Sequence, residues 1–211
     1  MPFMTPTIVV ATANKGKLAE IQAAANDAGL DYSFRSIFDL LPNWESPVED
    51  GDTFEANAAI KAQAGFAALG LPTLADDSGL AVDALDGNPG VHSSSFGGGE
   101  GNDALNNEKL LAELSQVEEQ NMRTARFLST LVLVGLSSLL PNAPNYLLAT
   151  GKCEGTIAFE ARGEAGFGYD PLFLPTATPG FTMAELSMQE KNTISHRGHA
   201  LESLMLILSK L

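Results

Sequence analysis

The chain has 211 residues, a formal net charge of −14 and a hydrophobic content of 45%. These values are typical of a soluble globular protein and fit one large α/β domain or two small ones. Duplex nucleic acids are bound mainly through Lys and Arg, so such an acidic chain is a poor candidate for binding a nucleic acid polymer. The longest apolar segment contains Gly and Ser and is too short to span a bilayer, which disfavours a membrane partner.

The chain contains a single cysteine, Cys153, so no intrachain disulfide can form. We recognise no secretory signal near the N-terminus and expect a cytoplasmic protein. The basic residues include two small groups, around Lys15 and Lys17 and around Lys191 and Arg197. Local basic groups on an acidic chain favour a small anionic ligand over a polymer.

The first predicted elements are a buried strand at residues 7–11 and a helix at residues 18–28. They are joined by the loop Thr12-Ala13-Asn14-Lys15-Gly16-Lys17. A strand, a glycine-containing loop and a helix can direct backbone N–H groups and the helix dipole at a phosphate. The loop is not a Walker A motif, because Gly16-Lys17 is followed by Leu18 instead of Ser or Thr. Since short loops with lysine are common, the phosphate-binding interpretation needs support from elsewhere in the chain.

A second strand is predicted at residues 31–37, and a helix from about residue 53 to residue 69. The helix has acidic residues in its first turn and many alanines, and Gly70-Leu71-Pro72 ends it. Glu49 lies just before this helix and Lys61 lies on it. Taken alone, each is typical of a solvated surface charge.

The segment Ala75-Asp76-Asp77-Ser78-Gly79 follows a short apolar run. We predict that one strand ends at the two carboxylates and that a separate strand covers residues 80–85. Two interpretations stay open, because Asp-Asp-Ser-Gly is favourable turn chemistry. Alternatively, carboxylates beyond the end of a strand suit a hard divalent ion or a general base that activates water.

Further along the chain, the pattern predicts an amphipathic helix at residues 102–114 and a long buried strand at 124–136. Residues 146–150 and 155–159 are predicted to pair as an antiparallel extension around residues 151–154. One helical turn is predicted at residues 183–186, and a last helix runs to the C-terminus.

Two glycines flank Phe167, and Tyr169-Asp170-Pro171 follows. Glycine lets a backbone approach a ligand closely, and an exposed aromatic ring can stack on a flat base. A glycine-rich turn with Phe167 in the core fits the composition equally well. Ser195 is a suitable helix N-cap, which would place His196 and Arg197 in the first turn as donors to an anion or a base.

Four segments, in this order, resemble those of one family, the inosine triphosphate pyrophosphatases or Ham1/RdgB group of non-canonical purine NTP pyrophosphatases. The resemblance covers nearly the whole chain, from Ile8 to the C-terminal helix. The segments are Thr12-Ala13-Asn14-Lys15-Gly16-Lys17, Ala75-Asp76-Asp77-Ser78-Gly79-Leu80, Gly166-Phe167-Gly168-Tyr169-Asp170-Pro171 and Ile194-Ser195-His196-Arg197-Gly198.

This resemblance implies an α/β fold with an elongated mixed β-sheet flanked by helices and a nucleotide cleft between two lobes. It implies a single domain over residues 1–211 and a homodimer. The implied activity is hydrolysis of ITP, dITP and XTP at the α–β phosphate linkage, with Mg²⁺ as cofactor. The products would be a nucleoside monophosphate and pyrophosphate, which cleanses the nucleotide pool.

The resemblance also carries residue roles. Asp77 falls on the family's catalytic Asp, a proton acceptor and Mg²⁺ ligand, and Glu49 falls on a second metal ligand. Lys61 falls on a lysine of the family pattern and joins Asp77 as a candidate catalytic residue. The implied substrate contacts are Thr12, Ala13, Asn14, Lys15, Gly16, Lys17, Ser78, Phe167, Gly168, Tyr169, Asp170, Lys191, His196 and Arg197.

The chain departs from the family after its Pro-Gly turn. Many members have a Tyr-Ser-Ala-Arg type of segment there, whereas His92 replaces the tyrosine and Ser95 replaces the arginine. Any contact made by the missing arginine is therefore in doubt, and substrate range or rate could differ.

Two other functions are considered. A Maf-like pyrophosphatase for other modified or pyrimidine nucleotides would share the strand-loop-helix start and an acidic metal site. We do not associate the Ser195-His196-Arg197-Gly198 ending with that group. A non-catalytic nucleotide sensor would use the phosphate loop and Phe167 but would not need Glu49 and Asp77, so the presence of both carboxylates favours turnover.

Overall fold

The computed structural model describes residues 5–99 and 101–211. The strands are β1 Thr7–Val10, β2 Ser33–Ser36, β3 Thr73–Val82, β4 Thr124–Val134, β5 Tyr146–Ile157 and β6 Phe173–Pro175. The α-helices are α1 Lys15–Asp27, α2 Ile37–Leu40, α3 Phe54–Leu69, α4 Asp103–Glu113, α5 Met188–Ile194 and α6 His196–Leu208. None of the helices in these two ranges is long and apolar enough to cross a membrane.

The six strands form one sheet in the order β2-β1-β3-β4-β5-β6. Strand β1 pairs in parallel with β2 and with β3, where Val9 lies opposite Thr73 and Val10 opposite Leu74. Strand β5 pairs antiparallel with β6. Parallel neighbours need a crossover connection, and α1 lies in the connection from β1 to β2. The predicted α/β class, with a mixed sheet and flanking helices, is confirmed.

The described chain divides into two compact units. The first unit comprises the described residues up to Asp77 with Thr130–Thr150 and Ala200–Leu211, and the second comprises those of Ser78–Ser129 and Gly151–His199. Strands β3, β4 and β5 and helix α6 contribute residues to both units. The prediction of one functional domain over residues 1–211 stays a prediction, and its residues 1–4 and Glu100 lie outside the described residues.

In the first unit, the packing of α3 is set by small side chains. Ala58 and Ala62, one turn apart on α3, are fully buried in a cluster with Ala75 of β3. A Cβ atom on Gly65 would lie 2.7 Å from the Cγ2 atom of Thr73, so only glycine allows this approach. Close packing of α3 on β3 brings Lys61, in the middle of the helix, to the carboxylate of Asp77 on the strand.

The core of the second unit is formed by β3, β4, β6, α4 and neighbouring loops. Leu80 of β3 and Leu110 of α4 are fully buried there. The rings of Phe127 and Phe173 pack with centroids 4.6 Å apart. This apolar cluster supports the loop that carries Phe167, because Tyr169 and Leu172 are part of it.

The predicted turn at Asp76-Asp77-Ser78-Gly79 is wrong, because β3 runs without interruption from Thr73 to Val82. The neighbouring strand β1 ends at Val10, opposite Leu74, so both carboxylates lie beyond the end of β1. Sheet pairing has overridden a local turn preference, as it commonly does. The predicted strand at residues 80–85 accordingly ends at Val82, and Asp83–Leu85 form a 3-10 turn.

The predicted pairing of residues 146–150 with 155–159 is also wrong, because β5 is a single strand. Inward-facing residues alternate through it, from Leu147 and Ala149 to Cys153 and Ile157. This two-residue period is characteristic of one continuous strand and is not broken at Gly151.

Most predicted helices are confirmed, and their ends follow capping chemistry. The Thr53 side chain accepts a hydrogen bond from the N–H group of Ala56 at the start of α3, and Gly70 ends that helix in the left-handed conformation. The single helical turn predicted near residue 183 is present at Met183–Glu185. The sequence analysis did not predict α2 or α5, although α5 has a capping box formed by Ser187 and Glu190.

Arg123 provides a test of how the second unit is held together. Its side chain is 2% exposed, and its guanidinium donates to the carbonyl oxygens of Ile157, Leu114, Val117 and Ala158 at 2.9–3.2 Å. Arg123→Met would leave buried carbonyl groups without donors. We expect this change to lower the free energy of unfolding by about 2–4 kcal/mol in urea denaturation.

The matched control is Arg126→Met. Arg126 lies at the surface, where it pairs with Asp83 and Glu154. Exposed ion pairs contribute little, so this variant should lose less than about 1 kcal/mol. Equal losses in the two variants would contradict the structural role of Arg123.

Candidate active site

The loop between β1 and α1 is organised by Asn14, the N-cap of the helix. The Asn14 Oδ1 atom accepts hydrogen bonds from the N–H groups of Gly16 at 2.8 Å and Lys17 at 3.1 Å. The N–H group of Asn14 in turn donates to the Oγ1 atom of Thr12 at 3.1 Å. Thr12 and Asn14 therefore fix the loop, whereas Ala13 and Lys15 are exposed. The start of α1 with its lysines is available to an anion.

Lys17 points from the first turn of α1 to β3. Its Nζ atom lies 2.8 Å from the Oδ2 atom of Asp76, whose side chain is only 7% exposed. Asp76 lies on β3 just after the residues that pair with β1, and α1 follows β1 in the chain. The pairing of the two strands therefore places this carboxylate beside Lys17.

Lys61 of α3 lies between two carboxylates. Its Nζ atom is 2.7 Å from Glu49 Oε2 and 3.5 Å from Asp77 Oδ1. Glu49 comes from the segment before α3, and Asp77 from β3. Three separate parts of the first unit thus converge on one ammonium group. The structure brings together Glu49, Lys61 and Asp77, which the sequence analysis assigned to catalysis and metal binding.

Asp77 is less solvated than Glu49, with a side chain that is 16% exposed compared with 36%. Burial raises the pKa of its carboxyl above the ordinary value, and the neighbouring Glu49 and Asp76 raise it further, while Lys61 and Asn57 lower it. Its Oδ2 atom is buried without a hydrogen-bond partner among the described residues. A buried acceptor in this state is costly, which makes Asp77 a suitable ligand for a cation or acceptor for a proton.

Glu49, Lys61 and the Lys17–Asp76 pair border a cavity of about 210 Å³ in the first unit. Its walls combine the loop after β1 with charged side chains of both signs, and Phe38 of α2 forms an apolar part of the wall. The charged lining residues are Lys17, Glu49, Lys61 and Asp76. A cavity with two ammonium groups and neighbouring carboxylates suits a phosphate chain accompanied by a divalent cation.

Residues 5–99 and 101–211 contain no group of three or more His, Cys, Asp and Glu side chains placed to hold a metal ion. A dedicated protein cage is therefore absent from this part of the chain. Magnesium is usually held by one or two carboxylates, with water and substrate phosphates completing its shell. Glu49 and Asp77 match that requirement, and the orphaned Oδ2 atom of Asp77 agrees with it.

Phe167 of the second unit is 56% exposed, so the alternative that places its ring in the core is wrong. Two cations face the ring: Lys191 Nζ lies 4.6 Å and Arg197 Cζ 5.9 Å from its centroid. An exposed aromatic ring beside cationic side chains suits a planar base.

The buried side chain of Asp170 anchors the loop around Phe167. It is 3% exposed, and its Oδ2 atom accepts from the N–H group of Phe167 at 2.8 Å and pairs with the ammonium group of Lys191. A Cβ atom on Gly166 would lie 2.1 Å from this oxygen, which explains the glycine at that position.

The Ser195 hydroxyl accepts a hydrogen bond from the N–H group of Gly198 at 3.0 Å and starts α6 as predicted. The ring of His196 stacks on Phe127, with centroids 4.9 Å apart and planes inclined by 16°. His199 instead contacts the carbonyl oxygen of Lys152 through Nδ1 at 2.8 Å.

Tyr169, one of the substrate contacts implied by the resemblance, has a buried side chain. It is 3% exposed, and its hydroxyl donates to the carbonyl oxygen of Ser93 at 2.8 Å. Burial raises the pKa of this phenol. The Tyr169 side chain therefore supports the Phe167 loop and the segment in which His92 and Ser95 replace the family residues. Both of those side chains are exposed.

Sequence reasoning treated Asp76 only as one of two adjacent carboxylates suited to a divalent ion or a general base, and it assigned no role to Asn57. Asn57 is 3% exposed, and its Oδ1 atom accepts from the N–H group of Gly51 at 2.8 Å, which ties the segment carrying Glu49 to α3. An asparagine one turn before Lys61 on the predicted helix was the available signal. Asp103 and Asn107 of α4, which contact Gly168, gave no local signal.

The sequence model of the Ham1 family matches residues 8–207. A dITP/XTP pyrophosphatase of Haemophilus influenzae is 45% identical over 201 residues, covering 95% of this chain and 98% of that protein. A dITP/XTP pyrophosphatase of Geobacter sulfurreducens is 47% identical over 197 residues, covering 93% of this chain and 94% of that protein.

Solved structures agree with this assignment. A HAM1 protein from Coxiella burnetii superposes with a TM-score of 0.87 at 41% identity, covering 98% of this chain and 100% of that chain. The Staphylococcus aureus Ham1 protein gives a TM-score of 0.83 at 36% identity, covering 97% and 98%. On its sequence match, its relatives and its fold, this chain belongs to the Ham1 family.

Proposed function

We propose that this protein hydrolyses the non-standard purine nucleotides ITP, dITP and XTP to the nucleoside monophosphate and pyrophosphate, and so cleanses the nucleotide pool. The observation that carries the proposal is the convergence of Glu49 and Asp77 on the ammonium group of Lys61. Lys61 and Glu49 also line a cavity together with Lys17. The relatives with dITP/XTP pyrophosphatase activity in their names support the choice of substrates.

Lys17 and Lys61 are assigned to the phosphate chain. Each ammonium group is already held in place by a carboxylate, Lys17 by Asp76 and Lys61 by Glu49 and Asp77. Hydrolysis of a phosphoanhydride depends mainly on neutralising charge and aligning a water molecule. The backbone N–H groups and dipole at the start of α1 add to that neutralisation.

Mg²⁺ is the proposed cofactor, with Glu49 and Asp77 as its protein ligands. When bound, it would supply Lewis-acid stabilisation of the phosphate oxygens. Asp77 is also the proposed proton acceptor for the attacking water. Its carboxylate has the chemistry of a general base, and its Oδ2 atom has no hydrogen-bond partner among the described residues. Water adds to phosphorus, the α–β phosphoanhydride bond breaks, and pyrophosphate leaves with the bridging oxygen.

The cluster of the second unit is assigned to the base. The ring of Phe167 would stack on the purine, and Lys191, His196 and Arg197 would supply hydrogen-bond donors. Donors arranged for a 6-oxo group would be left unpaired beside the 6-amino group of ATP. A site that rejects an exocyclic amine would also disfavour GTP, whose base carries a 2-amino group. His196 and Arg197 are the proposed readers of that edge, and Ser78 is a proposed substrate contact.

The cytoplasmic location, expected from the sequence itself, and the homodimer, implied by the resemblance, remain predictions. A homodimer would elute from size-exclusion chromatography with light scattering at twice the mass of the 22.2 kDa chain. A molar mass equal to one chain at micromolar concentration would argue against it.

The first test measures pyrophosphate release from ITP, dITP, XTP, ATP, GTP, dTTP and UTP, with Mg²⁺ and with a chelator. We expect fast release from the first three only, and none in the presence of the chelator. Asp77→Asn should lower kcat for ITP by about 10²–10⁴-fold while nucleotide binding persists. Asp27→Asn, which changes an exposed carboxylate at the end of α1, is the control and should behave as the parent.

Each other outcome has a definite meaning. Full activity of Asp77→Asn would remove Asp77 from catalysis. Release mainly from dTTP or UTP would indicate a Maf-like enzyme, and nucleotide binding without any release would indicate a sensor.

The second test concerns the base. Phe167→Ala should raise KM for ITP by about 5- to 150-fold, since stacking of a base on an aromatic ring contributes roughly 1–3 kcal/mol. The control is Phe181→Ala, because Phe181 is 57% exposed in the same unit but lies outside the cluster. A KM in Phe167→Ala equal to that of the control would exclude stacking on Phe167.

A further inference from the structure

We propose that Asp103 and Asn107 of α4 are positioning residues that fix the backbone on both sides of Gly168 and thereby orient the ring of Phe167. This inference rests on the proposed function, in which that ring stacks on the base. Neither residue is among those that the family resemblance assigns to the substrate.

The two side chains hold Gly168 from one face of a helix. The N–H group of Gly168 donates to Asp103 Oδ2 at 2.6 Å, and the Nδ2 group of Asn107 donates to the carbonyl oxygen of Gly168 at 2.9 Å. Asp103 and Asn107 are four residues apart, so they lie one above the other on α4. The peptide groups before and after Gly168 are therefore both bound to the same rigid element.

Phe167 needs such support because its own stretch of chain restrains it weakly. It is 56% exposed, and the glycines on both sides, Gly166 and Gly168, adopt positive φ values of 84° and 61°. Glycine has the largest backbone freedom of any residue, so a ring between two glycines is poorly oriented by its own chain. Asp170 fixes the N–H group of Phe167, and α4 fixes the next residue.

The α4 helix is itself firmly anchored. Asn102 caps it by accepting from the N–H group of Leu105, and Leu110 is fully buried in the core of the second unit. Asn106 accepts from the N–H group of Gly97 at 2.6 Å and donates to the carbonyl oxygen of Ser94 at 3.2 Å. A bond to a carboxylate is stronger than one between neutral groups, so Asp103 contributes most to the position of Gly168.

A different role for Asp103 is purely structural, because an acidic side chain in the first turn also stabilises a helix dipole. The two roles predict different results. A helix-stabilising residue affects thermal stability and acts independently of Phe167. A positioning residue weakens binding of the base, and its effect disappears once the ring is removed.

The test is a double-mutant cycle on the dissociation constant of IMP, measured by isothermal titration calorimetry on the full chain. Asp103→Ala should weaken binding about fivefold or more, up to the loss seen for Phe167→Ala. The double variant Asp103→Ala/Phe167→Ala should bind IMP no more weakly than Phe167→Ala alone, within about twofold. Asp103→Asn should recover most of the affinity, because its amide oxygen can still accept from Gly168.

The matched control is Glu108→Ala, which removes an exposed carboxylate from the same helix and should bind IMP as the parent does. Pyrophosphate, which has no base, should bind Asp103→Ala and the parent equally. If circular dichroism shows that Asp103→Ala is unfolded, Asn107→Ala replaces it in the same cycle with the same expected results.

Independent, additive losses in the double variant would overturn the inference, and so would parent-like binding of IMP by Asp103→Ala. Both results require a parent that binds IMP and hydrolyses ITP, so they would leave the proposed function intact. A parent that binds no purine nucleotide would instead overturn the proposed function together with this inference.

Discussion

The ammonium group of Lys61 lies 2.7 Å from Glu49 and 3.5 Å from Asp77, and the first unit depends on this arrangement of charges. Two carboxylates on one ammonium group repel each other, and this repulsion, together with the partial burial of Asp77, is offset by the cation between them. In the structure that cation is the lysine of α3, and a second lysine from α1 balances Asp76. The elements α1, α3 and β3 therefore have their positions linked by electrostatics as well as by the alanine face that packs α3 on the sheet. We propose that, when a nucleotide binds, the carboxylates pair with Mg²⁺ and the lysines pair with phosphate instead of with each other.

The two units present different types of side chain, and each type suits a different part of a nucleotide. The first unit concentrates buried charge of both signs, which suits a highly charged phosphate chain. The second unit presents an aromatic ring on a glycine-rich loop and surrounds it with cations and polar anchors, which suits a flat, neutral base. The anchors are backbone contacts made by Asp170, Asp103 and Asn107, so the exposed ring is oriented without being buried. In the inferred role of α4, Asp103 and Asn107 orient the ring of Phe167 through Gly168 and do not contact the base themselves.

The sequence predicted the elements whose signals are local. Thr53 and the left-handed Gly70 mark the ends of α3 through chemistry confined to a few residues. The N-cap Asn14 was not predicted, and α1 begins at Lys15, three residues before its predicted start at residue 18. The continuity of β3 through Asp76-Asp77-Ser78-Gly79 was not predictable in this way, because the pairing of β3 within the sheet overrides the turn preference of these residues. The exposure of Phe167 also depended on distant residues, since the composition of its loop fits a buried and an exposed ring equally well. Family motifs assigned Asp77, Glu49 and Lys61 to one site, and the structure places them together. Asn57, Asp103 and Asn107 act through contacts that only the folded chain reveals.

The central claim is that the enzyme breaks the α–β phosphoanhydride bond of a non-standard purine triphosphate. Phosphorus NMR of ITP incubated with the protein and Mg²⁺ tests it most directly, because the products of the two possible cleavages have different resonances. The account predicts signals of IMP and pyrophosphate in equal amounts, with ATP left intact in a parallel sample. The appearance of IDP and inorganic phosphate would contradict it.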